Sequence, residues 1–179
     1  MLHIKDLQTV YWTELHSGDW QLFLAATTKG LCFIGSGNEG LGKLTYWAKK
    51  QFPGCPLMED DHKLEPYAAE IVEYLEGQRR NFTIPIDFHG TPFQLAVWDA
   101  LCKIPYGQTK VYMDIASHIN KPKAIRAVGA AIGANPVLIT IPCHRVIGKN
   151  GALTGYRGGL EMKRKLLELE QEEPDLFKH

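Results

Sequence analysis

The segment Pro142-Cys143-His144-Arg145 places a thiol beside an imidazole and a guanidinium. It follows the apolar run 137–141, which predicts a buried strand. The thiolate is the nucleophilic form of cysteine, and nearby positive charge favours it. Polar side chains that directly follow a core strand are costly to bury unless they form hydrogen bonds. Cys143 is therefore a candidate nucleophile, and the alternative is a small buried cysteine that only packs.

Two further residues bear on how such a thiol would be activated. Adjacent residues of an extended chain point to opposite faces, so a direct bond between His144 and Cys143 would need a sharp local turn or a bridging water. Glu170 lies near the end of a predicted helix over residues 160–172, where the helix dipole does not favour a carboxylate. It either faces water or orients a buried histidine. The same helix is predicted to place four leucines against the core: Leu160, Leu166, Leu167 and Leu169.

The other cysteines have no such neighbours. Cys32 lies in a predicted strand, Cys102 in a predicted amphipathic helix and Cys55 in a proline-flanked loop. We interpret all three as structural or incidental. The 4 cysteines are too few for a disulfide scaffold, and the chain has no Cys-x-x-Cys pair of the kind that holds zinc.

The composition is that of an ordinary globular protein. Of the 179 residues, 45% are hydrophobic, 22% are charged and 17 are glycine, which excludes a mainly disordered, collagen-like or coiled-coil chain. The N-terminus has no basic segment followed by an apolar one, so no secretion signal is predicted. The apolar stretch 127–143 is interrupted by Asn135-Pro136 and is too broken for a transmembrane helix. We expect a soluble, cytoplasmic protein with no membrane partner.

The formal net charge of zero conceals an uneven distribution. Residues 1–88 carry 8 basic and 12 acidic side chains, a net charge of −4, whereas residues 89–170 carry 11 and 5, a net charge of +6. Residues 171–179 carry 1 and 3, a net charge of −2. A basic second half in a neutral chain suggests two domains, of which only one meets a polyanion.

The first half alternates strands with helices. A small antiparallel meander is predicted by three segments rich in aromatic and β-branched residues: 10–16, 20–28 and 31–34. Two amphipathic helices are predicted over residues 41–52 and 67–75. A half-buried strand is predicted by four alternating apolar residues: Phe82, Ile84, Ile86 and Phe88. None of these residues forms a set that would do chemistry together, so we interpret this half as an α/β scaffold.

A domain boundary is predicted near residues 87–90. Directly after it, Thr91-Pro92-Phe93-Gln94 combines a capping box with a proline at the first helical position. This divides the chain into an N-terminal domain, residues 1–88, a second domain, residues 89–170, and a C-terminal tail, residues 171–179.

The second domain contains a helix-turn-helix pattern. A short helix through Ile115, a turn at Asn120-Lys121 and a helix opened by Pro122 have the required spacing. The outer face of the second helix is predicted to hold one Arg126 among small residues: Ala124, Ala127, Gly129, Ala130 and Ala131. Readers of the major groove usually present long polar side chains, so this face fits close approach to a narrow groove better. The alternative is that the small residues only allow tight helix packing.

Several motifs lie at specific spacings through roughly residues 90–170. They are Ile-Pro-Cys-His-Arg-Val (141–146), Asn-Pro (135–136), Gly-Tyr-Arg-Gly-Gly-Leu (155–160), Arg-Ala-Val-Gly (126–129), Ile-Pro-Tyr-Gly (104–107), Tyr112 and Thr91. Together they resemble the O6-alkylguanine-DNA alkyltransferase family. The resemblance implies a ribonuclease H-like α/β N-terminal domain, with an antiparallel sheet and helices, and a mainly α-helical C-terminal domain with a winged helix-turn-helix.

The resemblance also implies roles for the residues that would react. Cys143 would accept the alkyl group, with His144 reached through a water and oriented by Glu170. Asn135 would act as a hinge between the DNA-binding helices and the active site. Tyr112 would help to rotate the target nucleotide and donate a hydrogen bond to the departing base.

Other matching residues would hold the DNA and the base. Arg126 would take the place of the extruded base in the stack, and Ala127 and Gly129 would lie with it against the DNA. The guanine pocket would be lined by three residues: Val146, Tyr156 and Arg157. Some members of the family have serine at the position of Arg157, which leaves the substrate range open.

The implied reaction transfers one alkyl group from O6-alkylguanine, and also from O4-alkylthymine, in double-stranded DNA to Cys143. The protein would approach the minor groove as a monomer, extrude the nucleotide and be consumed in a single turnover. No cofactor or metal is implied. The zinc site of some relatives needs cysteine and histidine in the N-terminal domain, where Cys32 and Cys55 are the only cysteines.

Three other functions remain as alternatives. One is a module that binds alkylated DNA without transfer chemistry, although such relatives replace the reactive cysteine. The second is a helix-turn-helix regulator, which would be expected to add contacts that read sequence or a second module. The third is a Cys-His hydrolase, which adjacent Cys143 and His144 suit poorly.

Overall fold

A computed structural model describes residues 8–171 of the chain. These residues form two compact units. One contains residues up to 72 together with 83–89, and the other contains 73–82 together with the residues from 90 onward. Of the predicted tail, only Gln171 lies within the described residues.

The first unit contains four strands, β1 (Val10–Ser17), β2 (Trp20–Thr27), β3 (Gly30–Ser36) and β4 (Leu57–Glu59). Their order in the sheet is β3-β2-β1-β4. The first three strands form the predicted antiparallel meander. The sequence does not predict β4, which pairs in parallel with β1 and makes the sheet mixed. A strand of three residues is too short to show an alternating pattern.

The first unit also contains the helix α1 (Gly40–Gln51) and residues 61–72 of the helix α2 (Asp61–Leu75), whose last three residues belong to the second unit. α1 packs on β2 and β3. A buried core forms where apolar residues of the sheet meet those of the first helix and the loop after it: Val10, Phe23, Ala25, Cys32, Phe33, Leu44 and Phe52. Phe23, Phe33 and Phe52 are thus core residues, whereas Tyr46 is 59% exposed.

The prediction of a strand over residues 82–88 is wrong. This segment makes a single isolated bridge, between Ile86 and Leu31 of β3. The backbone N–H of Leu31 donates to the carbonyl of Pro85 at 2.9 Å, and that of Asp87 donates back to Leu31 at 2.9 Å. Pro85 has no N–H to extend the ladder, so the apolar alternation is not accompanied by strand pairing.

The second unit contains four further helices, α3 (Pro92–Cys102), α4 (Tyr112–His118), α5 (Ile125–Gly133) and α6 (Leu160–Gln171). Two short strands, β5 (Lys110–Val111) and β6 (Val146–Ile147), pair in parallel. α3 begins as predicted, because the side chain of Thr91 accepts from the backbone of Gln94 and the side chain of Gln94 accepts from the backbone of Thr91. Trp98 is buried and donates its indole N–H to the carbonyl of Ala131 at 2.8 Å.

The predicted helix-turn-helix is formed by α4 and α5, but two details differ. α5 begins at Ile125 rather than at Pro122, because residues 121–124 form a turn closed by the N–H of Ala124 and the carbonyl of Lys121 at 2.9 Å. Ala131, placed by prediction on the outer face, is only 3% exposed.

The strand predicted over residues 137–141 is also wrong, since this run is a buried turn. Asn135 shapes it, accepting from the N–H of Val137 at 2.9 Å and donating to the carbonyl of Ile141 at 2.9 Å. Such local side-chain bonds to the backbone compete with a strand ladder. Ile139 has a φ of 70°, a costly conformation for a β-branched residue.

The buried face of α6 matches the predicted one only in part. Leu166 is fully buried as predicted, whereas Leu167 and Leu169 are half-buried and Leu160 is 51% exposed. The helix also buries Met162, Lys163 and Glu170. Among the described residues, no helix is both long enough and apolar enough to cross a membrane.

Candidate active site

Cys143 begins a single 3-10 turn, Cys143–Arg145, directly after the buried turn. Its side chain is almost enclosed, with the residue 4% exposed. The amide of Asn135 donates to its sulfur at 3.2 Å, and the same amide donates to the carbonyl of Ile141. Asn135 follows α5 by one residue beyond its cap, Ala134. One amide therefore connects the end of the helix-turn-helix to the thiol.

Burial dominates the electrostatics of the thiol. It raises the pKa of Cys143 above its ordinary value, while the hydrogen bond from Asn135 and the charges of Arg157 and Lys163 act in the opposite direction. We expected the adjacent residues to favour the thiolate, but the favourable cations come from the loop 155–160 and from α6. Deprotonation of this thiol therefore requires a base.

His144 is fully buried and has one occupied ring nitrogen. Nε2 lies 2.8 Å from a carboxylate oxygen of Glu170. An ionised carboxylate only accepts hydrogen bonds, so Nε2 carries the proton and Nδ1 of the neutral ring carries the lone pair. Nδ1 has no hydrogen-bond partner among residues 8–171. Burial lowers the pKa of His144, although the hydrogen bond with Glu170 opposes this, so the ring is held in its neutral form and the lone pair of Nδ1 is available.

Glu170 faces inward and not toward water. It accepts from Arg145, with Nη2 at 2.8 Å and Nε at 3.0 Å, and from the hydroxyl of Tyr74 at 2.6 Å. Burial would raise the pKa of Glu170, but the hydrogen bonds from His144, Arg145 and Tyr74 lower it to about 2. The carboxylate thus stays charged and holds three buried side chains in place.

Tyr74 is a site residue that the sequence analysis missed, because we interpreted the whole first half as scaffold. It lies on α2, is fully buried, and its ring contacts Tyr106 edge-on at 6.1 Å between centroids. Tyr106 lies against the guanidinium of Arg145, at 5.8 Å. The available signal was the helical spacing of Tyr74 with Ile71, since a buried tyrosine hydroxyl usually finds a partner.

Lys163 is a second missed residue. It is 1% exposed, and its ammonium donates to the carbonyls of Val146 at 2.6 Å and Thr154 at 3.0 Å. Burial lowers its pKa, and Cys143 acts in the opposite direction. Its spacing from Leu166 and Glu170 puts it on their helix face, which is the signal that could have identified it.

The loop 155–160 is tied to the turn that precedes Cys143. Arg157 donates from Nε to the carbonyl of Asn135 at 3.1 Å and from Nη2 to that of Pro136 at 3.0 Å. A Cβ on Gly158 would lie 2.5 Å from the sulfur of Met162, so no other residue fits there without displacement. Of the other predicted pocket residues, Tyr156 is half-buried and Val146 is fully buried.

The predicted DNA-binding residues lie on α4 and α5. Arg126 and Ala127 are exposed, and Arg126 makes no hydrogen bond or ion pair with any other residue of the range 8–171. The hydroxyl of Tyr112 lies 2.8 Å from that of Thr154. A Cβ on Gly129 would lie 3.8 Å from the Tyr112 ring, so that ring lies against α5 at its glycine.

The remaining cysteines differ from Cys143. Cys32 is buried and its sulfur donates to the carbonyl of Ala25, whereas Cys102 is exposed. Within residues 8–171, no three His, Cys, Asp or Glu side chains cluster as metal ligands would.

Family models match both halves of the chain. Residues 10–88 match the ribonuclease-like domain of 6-O-methylguanine DNA methyltransferase, and residues 92–172 match its DNA binding domain. The predicted fold of the two halves is thereby confirmed.

Individual relatives agree with these models. The inducible methylated-DNA–protein-cysteine methyltransferase of Bacillus subtilis is 67% identical over 163 residues, 91% of each chain. A crystal structure of the Mycobacterium tuberculosis O6-methylguanine methyltransferase matches with a TM-score of 0.79 and 37% identity, covering 91% of this chain and 93% of that one. A structure of OGT from the same organism in complex with DNA matches with a TM-score of 0.77 and 37% identity, covering 90% and 92%. The chain belongs to the 6-O-methylguanine DNA methyltransferase family, as the motifs around Cys143 indicate.

Proposed function

We propose that this chain repairs DNA by transferring an alkyl group from O6 of guanine to the sulfur of Cys143. One observation carries the assignment: Asn135 donates a hydrogen bond to the buried thiol of Cys143, and Glu170 orients the buried imidazole of the next residue, His144. We call these four residues the array. The names of the relatives and the DNA complex of the Mycobacterium tuberculosis protein support DNA as the partner. A module that only binds lesions would not need this array.

The first step is deprotonation of the thiol. The proton leaves Cys143 and is accepted at Nδ1 of His144, directly or through one water. The imidazolium that forms is stabilised by the carboxylate of Glu170, which already accepts from Nε2. The hydrogen bond from Asn135 then stabilises the thiolate.

The second step is a direct displacement at the alkyl carbon. The thiolate electron pair forms the new S–C bond, the C–O6 bond breaks, and its electron pair remains on the guanine. The guanine anion takes up one proton and becomes neutral, and the His144 imidazolium gives up the proton that it accepted from the thiol, so the number of protons balances. Tyr112 donates a hydrogen bond to the departing base and so stabilises its developing charge.

A stable thioether remains on the protein after the transfer. The transfer itself needs only the thiolate of Cys143 as nucleophile. The proposed mechanism contains no step that cleaves the new S–C bond and regenerates the thiol. Each molecule therefore reacts once. The same displacement applies to O4-alkylthymine, in which the alkyl group also sits on an exocyclic oxygen.

The reaction requires the nucleotide to leave the duplex, because a base within the stack cannot reach a nearly buried sulfur. We place Arg126 in the vacated space and the small residues Ala127 and Gly129 against the minor groove. The exposure of Arg126 and its lack of partners within residues 8–171 support this arrangement. The monomeric state and the cytoplasmic location stay predictions.

Mass spectrometry of the intact protein tests the proposal. After incubation with a duplex containing O6-methylguanine, we expect one added methyl group, located on Cys143 by peptide mapping. Cys102→Ala should react as the unchanged protein does, and Cys143→Ala should gain nothing. More than one turnover per molecule, or methylation of Cys143→Ala, would contradict the proposal.

A further inference from the structure

We propose that Thr154 is a positioning residue that donates a hydrogen bond to Tyr112 and so directs the Tyr112 proton toward the departing base. The inference rests on the proposed function, because that function gives Tyr112 its contact with the base. It adds Thr154, a residue outside the array of Cys143, Asn135, His144 and Glu170.

The geometry brings the two hydroxyl groups together. Tyr112 is the first residue of α4, and its oxygen lies 2.8 Å from Oγ1 of Thr154. Each hydroxyl in this pair is able to act as the donor. The contact joins residues 42 positions apart, so it is a tertiary contact between the helix-turn-helix and the segment before loop 155–160.

A buried charge fixes Thr154 on its other side. The ammonium of Lys163 donates to the carbonyl of Thr154 at 3.0 Å and to that of Val146 at 2.6 Å. Val146 belongs to β6, whose partner strand β5 ends directly before Tyr112. Both residues of the hydroxyl pair are thus anchored through their backbones, which leaves little freedom for the distance between the hydroxyls.

The direction of the hydrogen bond follows from the chemistry. A hydroxyl has a single proton to donate and lone pairs with which to accept. If Tyr112 donated to Thr154, its only proton would be unavailable to the base. If Thr154 donates, the Tyr112 proton remains available, and the phenol becomes a stronger donor because linked hydrogen bonds polarise one another.

The same bond acts at the moment of transfer. Negative charge develops on the departing guanine, and Tyr112 shares part of it through its hydrogen bond. A donor aimed at the phenol oxygen stabilises that charge. Valine at position 154 would keep the shape of the side chain but remove the donor, whereas serine would keep the donor.

A double-mutant cycle tests the inference. The single-turnover rate on a duplex containing O6-methylguanine is measured for the unchanged protein, Thr154→Val, Tyr112→Phe and the double variant. We expect Thr154→Val to slow transfer roughly tenfold and to add less than about twofold in the Tyr112→Phe background. Thr154→Ser should recover most of the rate, and both Thr154 variants should bind the duplex with an affinity similar to that of the unchanged protein.

Two results would overturn the inference. Equal slowing by Thr154→Val in both backgrounds would show that Thr154 acts independently of Tyr112. An unchanged rate in Thr154→Val would show that the hydroxyl has no role. Melting temperatures separate these outcomes from loss of fold. If the unchanged protein failed to methylate Cys143, the proposed function itself would be wrong, and that result is obtained before any variant is compared.

Discussion

The carboxylate of Glu170 accepts hydrogen bonds from two buried side chains, a guanidinium that is always charged and an imidazole that becomes charged when it accepts a proton. It receives a bidentate pair from Arg145 and a hydrogen bond from His144. Arg145 also donates to the carbonyl of Ile104 at 2.6 Å, so each nitrogen of its guanidinium donates a hydrogen bond within the protein. Removing the charge of Glu170 would therefore leave Arg145 without its counter-charge, besides loosening the imidazole.

Glu170→Gln should reduce both activity and stability. Without a charged acceptor the imidazolium formed in the first step is less stable, so we expect transfer to slow by roughly tenfold or more. The uncompensated Arg145 should lower the free energy of unfolding by about 3–5 kcal/mol. Single-turnover rates and chemical denaturation measure the two effects. DNA affinity should change little.

Glu168→Gln is the matched control on the same helix. Glu168 pairs with Arg164 at 2.8 Å in an exposed position, so its loss should cost less than about 1 kcal/mol and leave transfer intact. A Glu170→Gln protein as stable as this control would contradict the buried network.

The rate of transfer should depend on the ionisation of His144. Burial lowers the pKa of His144 below its ordinary value of 6.5, so the ring is a neutral base at neutral pH and loses that capacity as the pH falls. We expect the single-turnover rate to be constant near neutrality and to fall in acid with a midpoint below 6.5. Single-turnover assays quenched at fixed times, from pH 5 to pH 8, would measure this pH dependence. A midpoint above 7 would exclude a neutral His144 as the base.

The chemistry-bearing residues of this site divide into those that the sequence predicts and those that only packing identifies. Cys143, His144 and Glu170 could be found from residue type and motif. Lys163 and Tyr74 had only a weak signal, which is their helical spacing with apolar neighbours. Their importance comes from burial, and that becomes visible only when the chain is folded around them.

At the scale of elements, the buried turn 137–141 depends on contacts from outside itself. Asn135 bonds both of its ends, and Arg157 bonds the carbonyls of Asn135 and Pro136 from the loop. The apolar composition of this run suggested a strand because the run is buried. The sequence pattern reports burial correctly, but side-chain bonds to the backbone decide the conformation.

Arg157→Gln should slow transfer and destabilise the loop moderately. The variant loses bonds to the two carbonyls, a cost of about 1–3 kcal/mol, and it removes a charge that lowers the pKa of Cys143. We expect slower methylation at neutral pH, with the difference shrinking as the pH is raised. Arg164→Gln is the control, because Arg164 is exposed on α6. An identical pH profile in Arg157→Gln and the unchanged protein would show that Arg157 does not act on the thiol.

At the scale of the whole molecule, the charge distribution suits a protein that holds DNA by its backbone. Residues 89–170 carry the net charge of +6. The exposed face of α5 presents Arg126 and alanines rather than several long polar side chains. Affinity should therefore come mainly from phosphate neutralisation and vary little with sequence. Titrations on two unrelated duplexes should give parallel plots of log affinity against log salt, and a large difference between them would contradict this.

Arg126→Ala should separate extrusion of the base from the chemistry of transfer. Arg126 is exposed and makes no hydrogen bond or ion pair within residues 8–171, so the substitution should leave the melting temperature nearly unchanged. Filling the vacated space offsets an unstacking cost of a few kcal/mol. We expect repair of an O6-methylguanine duplex to slow by about tenfold or more, because each 1.4 kcal/mol corresponds to a factor of ten. The free base O6-benzylguanine needs no extrusion, so its reaction with Cys143 should slow by less than about twofold. Equal slowing with both substrates, together with a lower melting temperature, would show that Arg126 supports the fold instead.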